Sequence, residues 1–256
     1  MDFYTFRAKV KEQLGFDLGS YKENQLRRRL EAFMLRQGVA SYEEYLERLK
    51  RDPKSLQELV AYLTISVTEF FRDPHLFKLL EDKVLPELLQ ERFLLKVWSA
   101  ACANGAEPYS VVMILEDLTP GRRHRIEATD VNPRILAVAR EGVYSAELLR
   151  HVDSRRLAKY FTPLDGRYAF RPEYRSRVLF RQHDLLRDPY GQEYDLILCR
   201  NVLIYFTKEA QDRVLAGFQR ALRPGGYLFL GGSETILNYR EMGFERRFPS
   251  IYQKIS

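Results

Sequence analysis

The sequence predicts an α/β protein with a doubly wound, mostly parallel sheet, a small all-helical N-terminal domain and a small antiparallel β insertion. Three observations predict this fold class. After residue 92, short apolar runs alternate with helical segments, which is typical of a parallel sheet covered on both faces. The first 92 residues show helical spacing of apolar side chains and no alternating strand pattern. Residues 147–187 then interrupt the alternation and contain a predicted hairpin.

Length and composition narrow the class of protein. The 256 residues allow one domain of ordinary size and a smaller one, and 45% apolar residues suffice for a core. No apolar run approaches the roughly 20 residues that a membrane helix requires, and the first residues lack a signal-peptide core, so we expect a cytoplasmic protein without membrane insertion. Cys102 and Cys199 are expected to be buried packing residues. Four scattered histidines argue against a metal site.

The helical region and its linker are predicted to span residues 1–72. Ser41 followed by Glu44 forms a capping-box pattern that predicts a helix start. Asp52-Pro53 predicts the start of the next helix, because proline is tolerated in a first helical turn. The second domain is therefore expected to span residues 73–256.

One predicted helix in this region is strongly basic. Between Lys22 and Arg36 the chain has five positive and two negative residues, a net charge of +3. A solvated helix face is the ordinary interpretation of such a run, and a docking face for an acidic helix is the alternative. The candidate docking residues are Arg27, Arg28, Arg29 and Arg36. The whole chain, at +6, permits an acidic partner without indicating nucleic acid.

The segment FLLKVWSAACANGAEPYS predicts the ligand-binding corner of the sheet. The apolar run 93–98 predicts a buried strand, the small residues up to Gly105 predict a tight loop, and a helix is expected to start near Pro108. The loop lacks both the dinucleotide and the phosphate-loop glycine patterns. Glu107 instead suits a cationic or zwitterionic ligand, such as the amino acid end of S-adenosylmethionine. An ordinary strand-to-helix turn explains these residues about equally well.

Further strands are predicted at 125–129, 178–181, 194–199 and 227–231, with one or two more within 244–255. Ligands in such sheets bind beyond the carboxyl ends of the strands. Glu107, Asp130, Asp184 and Asn201 all fall at these ends, so we expect them to lie at one edge of the sheet.

The predicted β insertion covers about residues 147–180. A hairpin is expected around the turn Asp165-Gly166. Residues 147–187 contain ten basic and five acidic residues, so the excess charge of the chain is concentrated here.

The segments TISVTEFFR, VWSAACANGAEPYS, ATDVN, HDLL, CRNVLIYF and LRPGGYLFLGGSE, in this order, resemble the chemotaxis receptor methyltransferases, the CheR family. The resemblance covers almost the whole chain. It implies S-adenosyl-L-methionine as cofactor, with S-adenosyl-L-homocysteine as product, and methylation of glutamate side chains on chemoreceptors. The chain departs from the family pattern at Ser66, often Asn, and at Ala106, usually Glu; the position of Asp184 is Asn in some members.

The resemblance also implies roles for individual residues. Arg72 and Tyr205 would be catalytic, with Arg72 orienting the substrate carboxylate. Glu107 would hold the methionine part of the cofactor and Asp130 the ribose. The full implied cofactor set is Ser66, Thr68, Arg72, Gly105, Glu107, Asp130, Asp184, Leu185, Arg200, Asn201 and Val202.

The implied partner is a methyl-accepting chemoreceptor, an acidic helical bundle, with a receptor tail at the β insertion as a further expectation. We expect a monomer that does not bind nucleic acid. Two alternatives remain open at this point. A nucleic-acid methyltransferase would use the basic insertion to bind phosphates. A non-catalytic sensor of S-adenosylmethionine would explain Ser66 and Ala106 in the altered loop.

Overall fold

The computed structural model describes residues 1–64 and 68–255. The chain divides into two compact units, one formed by Met1–Ile65 with Ile204–Val214 and the other by Ser66–Leu203 with Leu215–Ser256. The domain boundary expected at residue 72 stays a prediction. Among the helices of the described residues, none is long and apolar enough to cross a bilayer.

Residues 1–64 of the first unit form four α-helices, and all but the second begin at a side-chain cap. They are α1 (Phe3–Leu14), α2 (Glu23–Arg36), α3 (Tyr42–Arg51) and α4 (Pro53–Leu63). The Ser41 hydroxyl accepts the Glu44 N–H at 3.2 Å, and the Asp52 carboxylate accepts the Lys54 N–H at 2.9 Å. Each cap satisfies an amide that the helix leaves unpaired. Both predicted helix starts are confirmed.

A later stretch of chain also belongs to the first unit. The Lys22 N–H donates to the Tyr205 carbonyl at 2.9 Å, and the Thr207 N–H donates to the Ser20 carbonyl at 2.9 Å. The ring of Tyr21 meets that of Phe206 edge to face at 5.3 Å. Residues 204–214 are therefore tied to the segment that precedes α2.

The second unit is built on a seven-stranded sheet. Its strands are β1 (Lys96–Ala100), β2 (Arg125–Asp130), β6 (Val178–Gln182), β7 (Tyr194–Cys199), β8 (Leu222–Leu230), β9 (Phe244–Phe248) and β10 (Ile251–Lys254). Their order is β6-β2-β1-β7-β8-β10-β9. The first five strands in this order are parallel, and β10 pairs antiparallel with both of its neighbours. The predicted doubly wound, mostly parallel sheet is confirmed.

Helices precede and connect these strands. They are α5 (Pro74–Leu79), α6 (Leu85–Glu91), α7 (Ala106–Leu118), α8 (Pro133–Glu141), α9 (Ser154–Tyr160), α10 (Pro172–Arg175) and α11 (Lys208–Ala221). A single π-helical turn, Leu80–Val84, joins α5 to α6. Helix α7 is almost entirely part of the core, because its residues from Ala106 to Leu115 are buried.

Two strand starts differ from the prediction. The first strand begins at Lys96, because Phe93 and Leu94 are 68% and 49% exposed and lie outside the sheet. The fifth begins at Leu222 rather than Tyr227. Gly225, with φ at +76°, and Gly226, where a Cβ would lie 2.8 Å from the Tyr194 carbonyl oxygen, let the chain continue along β7. The two glycines therefore form an irregularity within the strand.

The insertion forms a second, three-stranded sheet. Its strands are β3 (Val143–Tyr144), β4 (Phe161–Leu164) and β5 (Arg167–Phe170), in the order β3-β5-β4. Asp165 and Gly166 both have positive φ, at 44° and 74°, as a tight two-residue hairpin turn requires. The predicted hairpin is confirmed. The two-residue β3 was not predicted, because so short a strand has no recognisable pattern.

Candidate functional site

The sheet order brings the carboxyl ends of the predicted ligand-binding strands together. From β1 the strands continue to one side as β2 and then β6, whereas β7 lies on the other side of β1. Open α/β sheets form a ligand-binding crevice where the strand order reverses in this way. Glu107 follows β1, Asp130 ends β2, Asp184 follows β6 and Asn201 follows β7. The structure therefore places these four residues at one edge of the sheet, as the sequence predicts.

The loop after β1 is tightly constrained. Ala101 and Ala103 have φ values of 63° and 49°, in the left-handed region that costs a non-glycine residue about 1–2 kcal/mol. The Ala103 N–H donates to Asp130 Oδ2 at 3.0 Å. At Gly105, with φ at +86°, a Cβ would approach the Cβ of Ala139 to 3.0 Å. The loop thus keeps its small residues close to the backbone of α8, and Gly105 is required there.

Asp130 connects this loop to the next helix. Its Oδ2 accepts the Ala103 N–H at 3.0 Å and its Oδ1 accepts the Asn132 N–H at 2.9 Å. Burial raises the pKa of Asp130 above its ordinary value, although the two amides act in the opposite direction. A carboxylate oxygen can accept more than one hydrogen bond, so Asp130 retains acceptor capacity for a hydroxyl group.

Glu107 is a buried carboxylate in the first turn of α7, with 8% of the residue exposed. Its Oε1 accepts the Ser99 hydroxyl at 2.7 Å, and its Oε2 lies 3.7 Å from Nη1 of Arg200. Burial raises the pKa of Glu107, while Arg200, Ser99 and Arg72 lower it. The negative charge is thus only partly compensated by the protein, and a cationic ligand would stabilise it.

The short segment that carries Arg72 has a strained backbone. Phe71 and Asp73 have φ values of 51° and 59°, and such conformations cost of order 1 kcal/mol each. They persist because neighbouring groups fix them. The Phe71 N–H donates to Ser110 Oγ at 3.0 Å, and Nη2 of Arg200 donates to the Arg72 carbonyl at 2.7 Å.

The same segment is anchored to the insertion through Phe70, which is fully buried. Its N–H donates to the Leu148 carbonyl at 3.1 Å. Its ring meets Tyr144 edge to face at 4.8 Å and Phe161 at 5.3 Å, and the ring of Phe170 lies 6.5 Å away. The aromatic side of the three-stranded sheet therefore holds the chain two residues before Arg72.

The turn after β7 is shaped by an acid that the sequence analysis did not identify. Glu234 is 5% exposed, and its Oε2 accepts the N–H groups of Asn201 at 2.7 Å and Gly231 at 2.8 Å. Its Oε1 accepts the Val202 N–H at 3.0 Å. The Oδ1 of Asn201 is buried and has no hydrogen-bond partner among the described residues. An unpaired buried acceptor costs about 1–3 kcal/mol, so a ligand N–H or O–H would fit here.

The turn after β6 presents Asp184 and Leu185, both half-buried. Asp184 Oδ1 accepts the Leu186 N–H at 2.9 Å, and the Tyr190 hydroxyl donates to the Leu185 carbonyl at 2.7 Å. Burial raises the pKa of Asp184. These bonds fix the turn and leave the outer lone pairs of the carboxylate able to accept further hydrogen bonds.

The remaining predicted site residues lie elsewhere or outside the described part. Thr68 is half-buried at the start of the second unit, and Ser66 lies outside the described residues. Tyr205 belongs to the first unit, where its carbonyl accepts the Lys22 N–H. Asp73 and Glu69, the acids on either side of Arg72, pair with Arg200 and Arg150 respectively.

The four candidate docking arginines have different environments. Arg28 and Arg36 are exposed. Arg27 is exposed and pairs with Glu31 at 2.9 Å. Arg29 is half-buried and donates to the carbonyl of Tyr62, whose ring also lies 5.9 Å from the Arg36 guanidinium. Arg28 and Arg36 are therefore the members of the set that are best placed for a partner.

Three supporting side chains escaped the sequence analysis: Ser99, Asp73 and Glu234. Ser99 lies within β1, and the spacing of apolar side chains along the sequence does not indicate that its hydroxyl donates to Glu107. Glu234 follows the carboxyl end of β8 closely, so the rule that identified Asp130 and Asn201 would have found it.

These donors and acceptors fit a zwitterionic ligand with hydroxyl groups. Glu107 and the unpaired Oδ1 of Asn201 offer acceptors for an ammonium group, and Asp130 offers acceptors for hydroxyl groups. Gly105 allows the backbone to approach such a ligand closely.

The chain is similar to known proteins over most of its length. Residues 66–248 match the family model described as CheR methyltransferase, SAM binding domain, and residues 1–64 match the CheR methyltransferase, all-alpha domain. The chain is 42% identical over 243 residues to a chemotaxis protein methyltransferase of Listeria monocytogenes, covering 94% of this chain and 93% of that protein. It is 37% identical over 250 residues to chemotaxis protein methyltransferase 1 of Pseudomonas aeruginosa, covering 93% and 91% of the two chains.

Proposed function

The chain belongs to the CheR methyltransferase family, and from this membership we propose that it transfers a methyl group from S-adenosyl-L-methionine to glutamate side chains of chemoreceptors. The products are glutamate methyl esters and S-adenosyl-L-homocysteine. One observation carries the proposal beyond family membership: a partly compensated buried carboxylate, Glu107, lies next to Arg200 at the sheet edge that also holds the unpaired Asn201 Oδ1.

The chain's own residues would hold the cofactor as follows. Glu107 and Asn201 would accept the ammonium group of the methionine part, and Asp130 would accept the ribose hydroxyls. Asp184 and Leu185 would flank the adenine. When bound, the cofactor supplies an electrophilic methyl group on a sulfonium, which is a good leaving group. The protein therefore has to bind and orient, and it need not activate the methyl donor.

The substrate carboxylate needs no general base. An unperturbed glutamate has a pKa of about 4.3, so it is already ionised at neutral pH. This explains why a catalytic triad is unnecessary. Holding the attacking oxygen in line can supply roughly 7–11 kcal/mol of the barrier reduction. We assign this orientation to Arg72, whose planar guanidinium binds a carboxylate through directed hydrogen bonds, and we propose Tyr205 as the second catalytic residue.

Receptor recognition would rely on charge. The exposed Arg28 and Arg36, with Arg27 and Arg29, would attract an acidic helical bundle, and such attraction speeds encounter. A receptor tail could add a strand at β4, the edge strand that belongs to the hairpin. Under this proposal the protein acts as a monomer in the cytoplasm and does not bind nucleic acid.

The decisive experiment is incubation with methyl-labelled S-adenosylmethionine and chemoreceptors from the same organism, followed by mild base. Glutamate methyl esters then release labelled methanol, which is collected as a volatile product. In a parallel incubation with RNA or DNA in place of the receptors, label on the nucleic acid would favour a nucleic-acid methyltransferase. Cofactor binding without any transfer would favour a sensor, and either result would reject the proposal.

A further inference from the structure

Arg200 directly follows β7, and its guanidinium contacts other groups of the protein. The side chain is 2% exposed. Its Nη2 donates to the Arg72 carbonyl and to Asp73 Oδ2, both at 2.7 Å, and its Nη1 lies 3.7 Å from Glu107 Oε2. One group thus contacts the segment that carries the proposed catalytic arginine and the acid proposed to hold the cofactor.

Two aromatic rings fix the plane of this guanidinium. Its central carbon lies 5.0 Å from the ring centroid of Phe77 and 4.7 Å from that of Phe229. Arginine differs from lysine in this setting, because a planar, delocalised cation stacks on rings and donates along several fixed directions at once. The Nε of Arg200 is buried without a hydrogen-bond partner among the described residues. This orientation of the guanidinium therefore leaves one buried donor unsatisfied.

The backbone that Arg200 holds is the strained one. Phe71 and Asp73 have positive φ, at 51° and 59°, and the carbonyl that accepts from Arg200 belongs to the residue between them. A strained segment keeps its conformation only while the surrounding contacts determine it. Without the guanidinium, the Arg72 carbonyl would lose its hydrogen bond from Arg200, and the strained backbone on either side of it would be free to relax.

We infer that Arg200 is a positioning residue for methyl transfer: it fixes the direction of Arg72 relative to Glu107 and acts on the reaction through Arg72. This inference rests on the proposed function. It gives Arg200 a role in addition to the cofactor contact that the resemblance implies, since both of its Nη atoms face protein groups. A displacement of about 1 Å at an orienting residue is enough to lower a rate by roughly a hundredfold.

The test compares Arg200→Lys, Arg72→Ala and the double variant in the labelled-methanol assay. We expect Arg200→Lys to lower kcat by about tenfold or more, while the KM for the cofactor changes less than about threefold. In the Arg72→Ala background the same substitution should change kcat less than about twofold, because its effect runs through Arg72. A purely structural role would lower the rate by a similar factor in both backgrounds, and that result would overturn the inference.

Arg223→Lys is the matched control. Arg223 is also a buried arginine of the sheet, paired with Asp195 at 2.6 Å and Glu91 at 2.7 Å, but it lies at the start of β8, at the opposite end of the strands. We expect its kcat to stay within about twofold of the wild type. An equal loss of kcat in Arg223→Lys and Arg200→Lys would contradict a specific role for Arg200.

Asp73→Asn keeps the inference testable if Arg200→Lys fails to fold. This substitution weakens the ion pair between Arg200 and Asp73 at the Asp73 side chain, which is 33% exposed. We expect kcat to fall by about threefold or more, and we expect this fall to disappear in the Arg72→Ala background. Unchanged kcat in Asp73→Asn would count against the inference. An inactive wild-type protein would overturn the proposed function and this inference with it, whereas full activity of Arg200→Lys would overturn the inference alone.

Discussion

The carboxylate of Glu234 accepts the Asn201 N–H at 2.7 Å and so holds Asn201 in a left-handed conformation, with φ at 59°. Gly231 makes the approach possible, because a Cβ there would lie 2.8 Å from both the Asn201 nitrogen and Glu234 Oε2. The turn that presents the unpaired Asn201 Oδ1 is thus shaped by a buried acid from the next strand's end.

Glu234→Gln should therefore weaken cofactor binding. A glutamine has one oxygen and one NH₂ group, so at least one of the three N–H donors of Asn201, Val202 and Gly231 would face another donor. Leaving a buried donor unsatisfied costs about 1–3 kcal/mol, and we expect a lower thermal midpoint and roughly tenfold weaker cofactor binding by calorimetry. Glu241→Gln, an exposed acid in the same loop, is the control. Unchanged affinity in Glu234→Gln would reject this role.

Glu107→Gln should lose cofactor affinity without losing stability. Burial raises the pKa of Glu107, so the folded protein disfavours its charge. This unfavourable contribution grows as pH rises above the ordinary pKa of a glutamate, and it is complete once pH exceeds the raised pKa of the folded protein. At neutral pH the neutral glutamine should therefore leave the unfolding midpoint unchanged or higher. Loss of a charged hydrogen-bond acceptor for the ligand should weaken binding about tenfold or more, measured by calorimetry.

Glu116→Gln serves as the control on the same helix, since Glu116 lies towards the other end of α7. Its cofactor affinity should match that of the wild type. A Glu107→Gln variant that binds normally but unfolds at a lower temperature would show that the acid is structural.

Arg72→Ala should separate binding from transfer. We expect cofactor affinity to stay within a few-fold and methyl transfer to fall by at least about a hundredfold, because the orientation of the substrate carboxylate is lost. The labelled-methanol assay and calorimetry on the same sample measure the two quantities. Arg123→Ala, an exposed arginine, should retain full transfer. Full transfer in Arg72→Ala would reject its assignment.

The first unit offers a prediction about salt. Reversing the charge of two exposed arginines, in Arg28→Glu with Arg36→Glu, should lower kcat/KM for receptor about tenfold at low ionic strength. The difference should shrink at high salt, because exposed charges are screened. Arg51→Glu, on α3 in the same unit, changes the charge without altering α2 and should have a smaller effect. Equal losses at all salt concentrations would argue against electrostatic docking.

Features set by local sequence were the predictable ones. Ser41 and Asp52 cap helices through residues two or three positions away, and the carboxyl-edge rule located Glu107, Asp130 and Asn201 from strand ends alone. Groups that act across the fold were not predictable. Arg200 meets Asp73, more than a hundred residues earlier in the chain, and no periodicity records that contact.

Apolar patterning also misled where it ran past a structural element. Phe93 and Leu94 continue the hydrophobic run of β1, but they lie outside the sheet, and the guanidinium of Arg122 stands 4.1 Å from the Phe93 ring centroid. An exposed apolar pair of this kind cannot be told from a strand by composition.

Acid stability provides the last prediction, through His124, which directly precedes β2. The Leu95 N–H donates to its Nδ1 at 3.0 Å, so the ring proton must lie on Nε2, which is 2.9 Å from Thr119 Oγ1. The Thr119 hydroxyl in turn donates to the Leu115 carbonyl at 2.7 Å. This chain of hydrogen bonds admits only a neutral imidazole, and burial lowers the pKa of His124 to about 4.

Between pH 6.5 and about 4 the unfolded chain binds a proton at His124 that the folded protein does not bind. The free energy of unfolding should therefore fall as pH decreases through this window, by up to about 3 kcal/mol in total. His124→Asn can still accept from Leu95 but has no such titration, so it should be less stable at pH 7 and show a shallower loss towards pH 4. Urea unfolding at several pH values measures both slopes. His75→Asn, which alters an exposed histidine, should keep the wild-type slope, and an equally steep slope in His124→Asn would contradict the assignment.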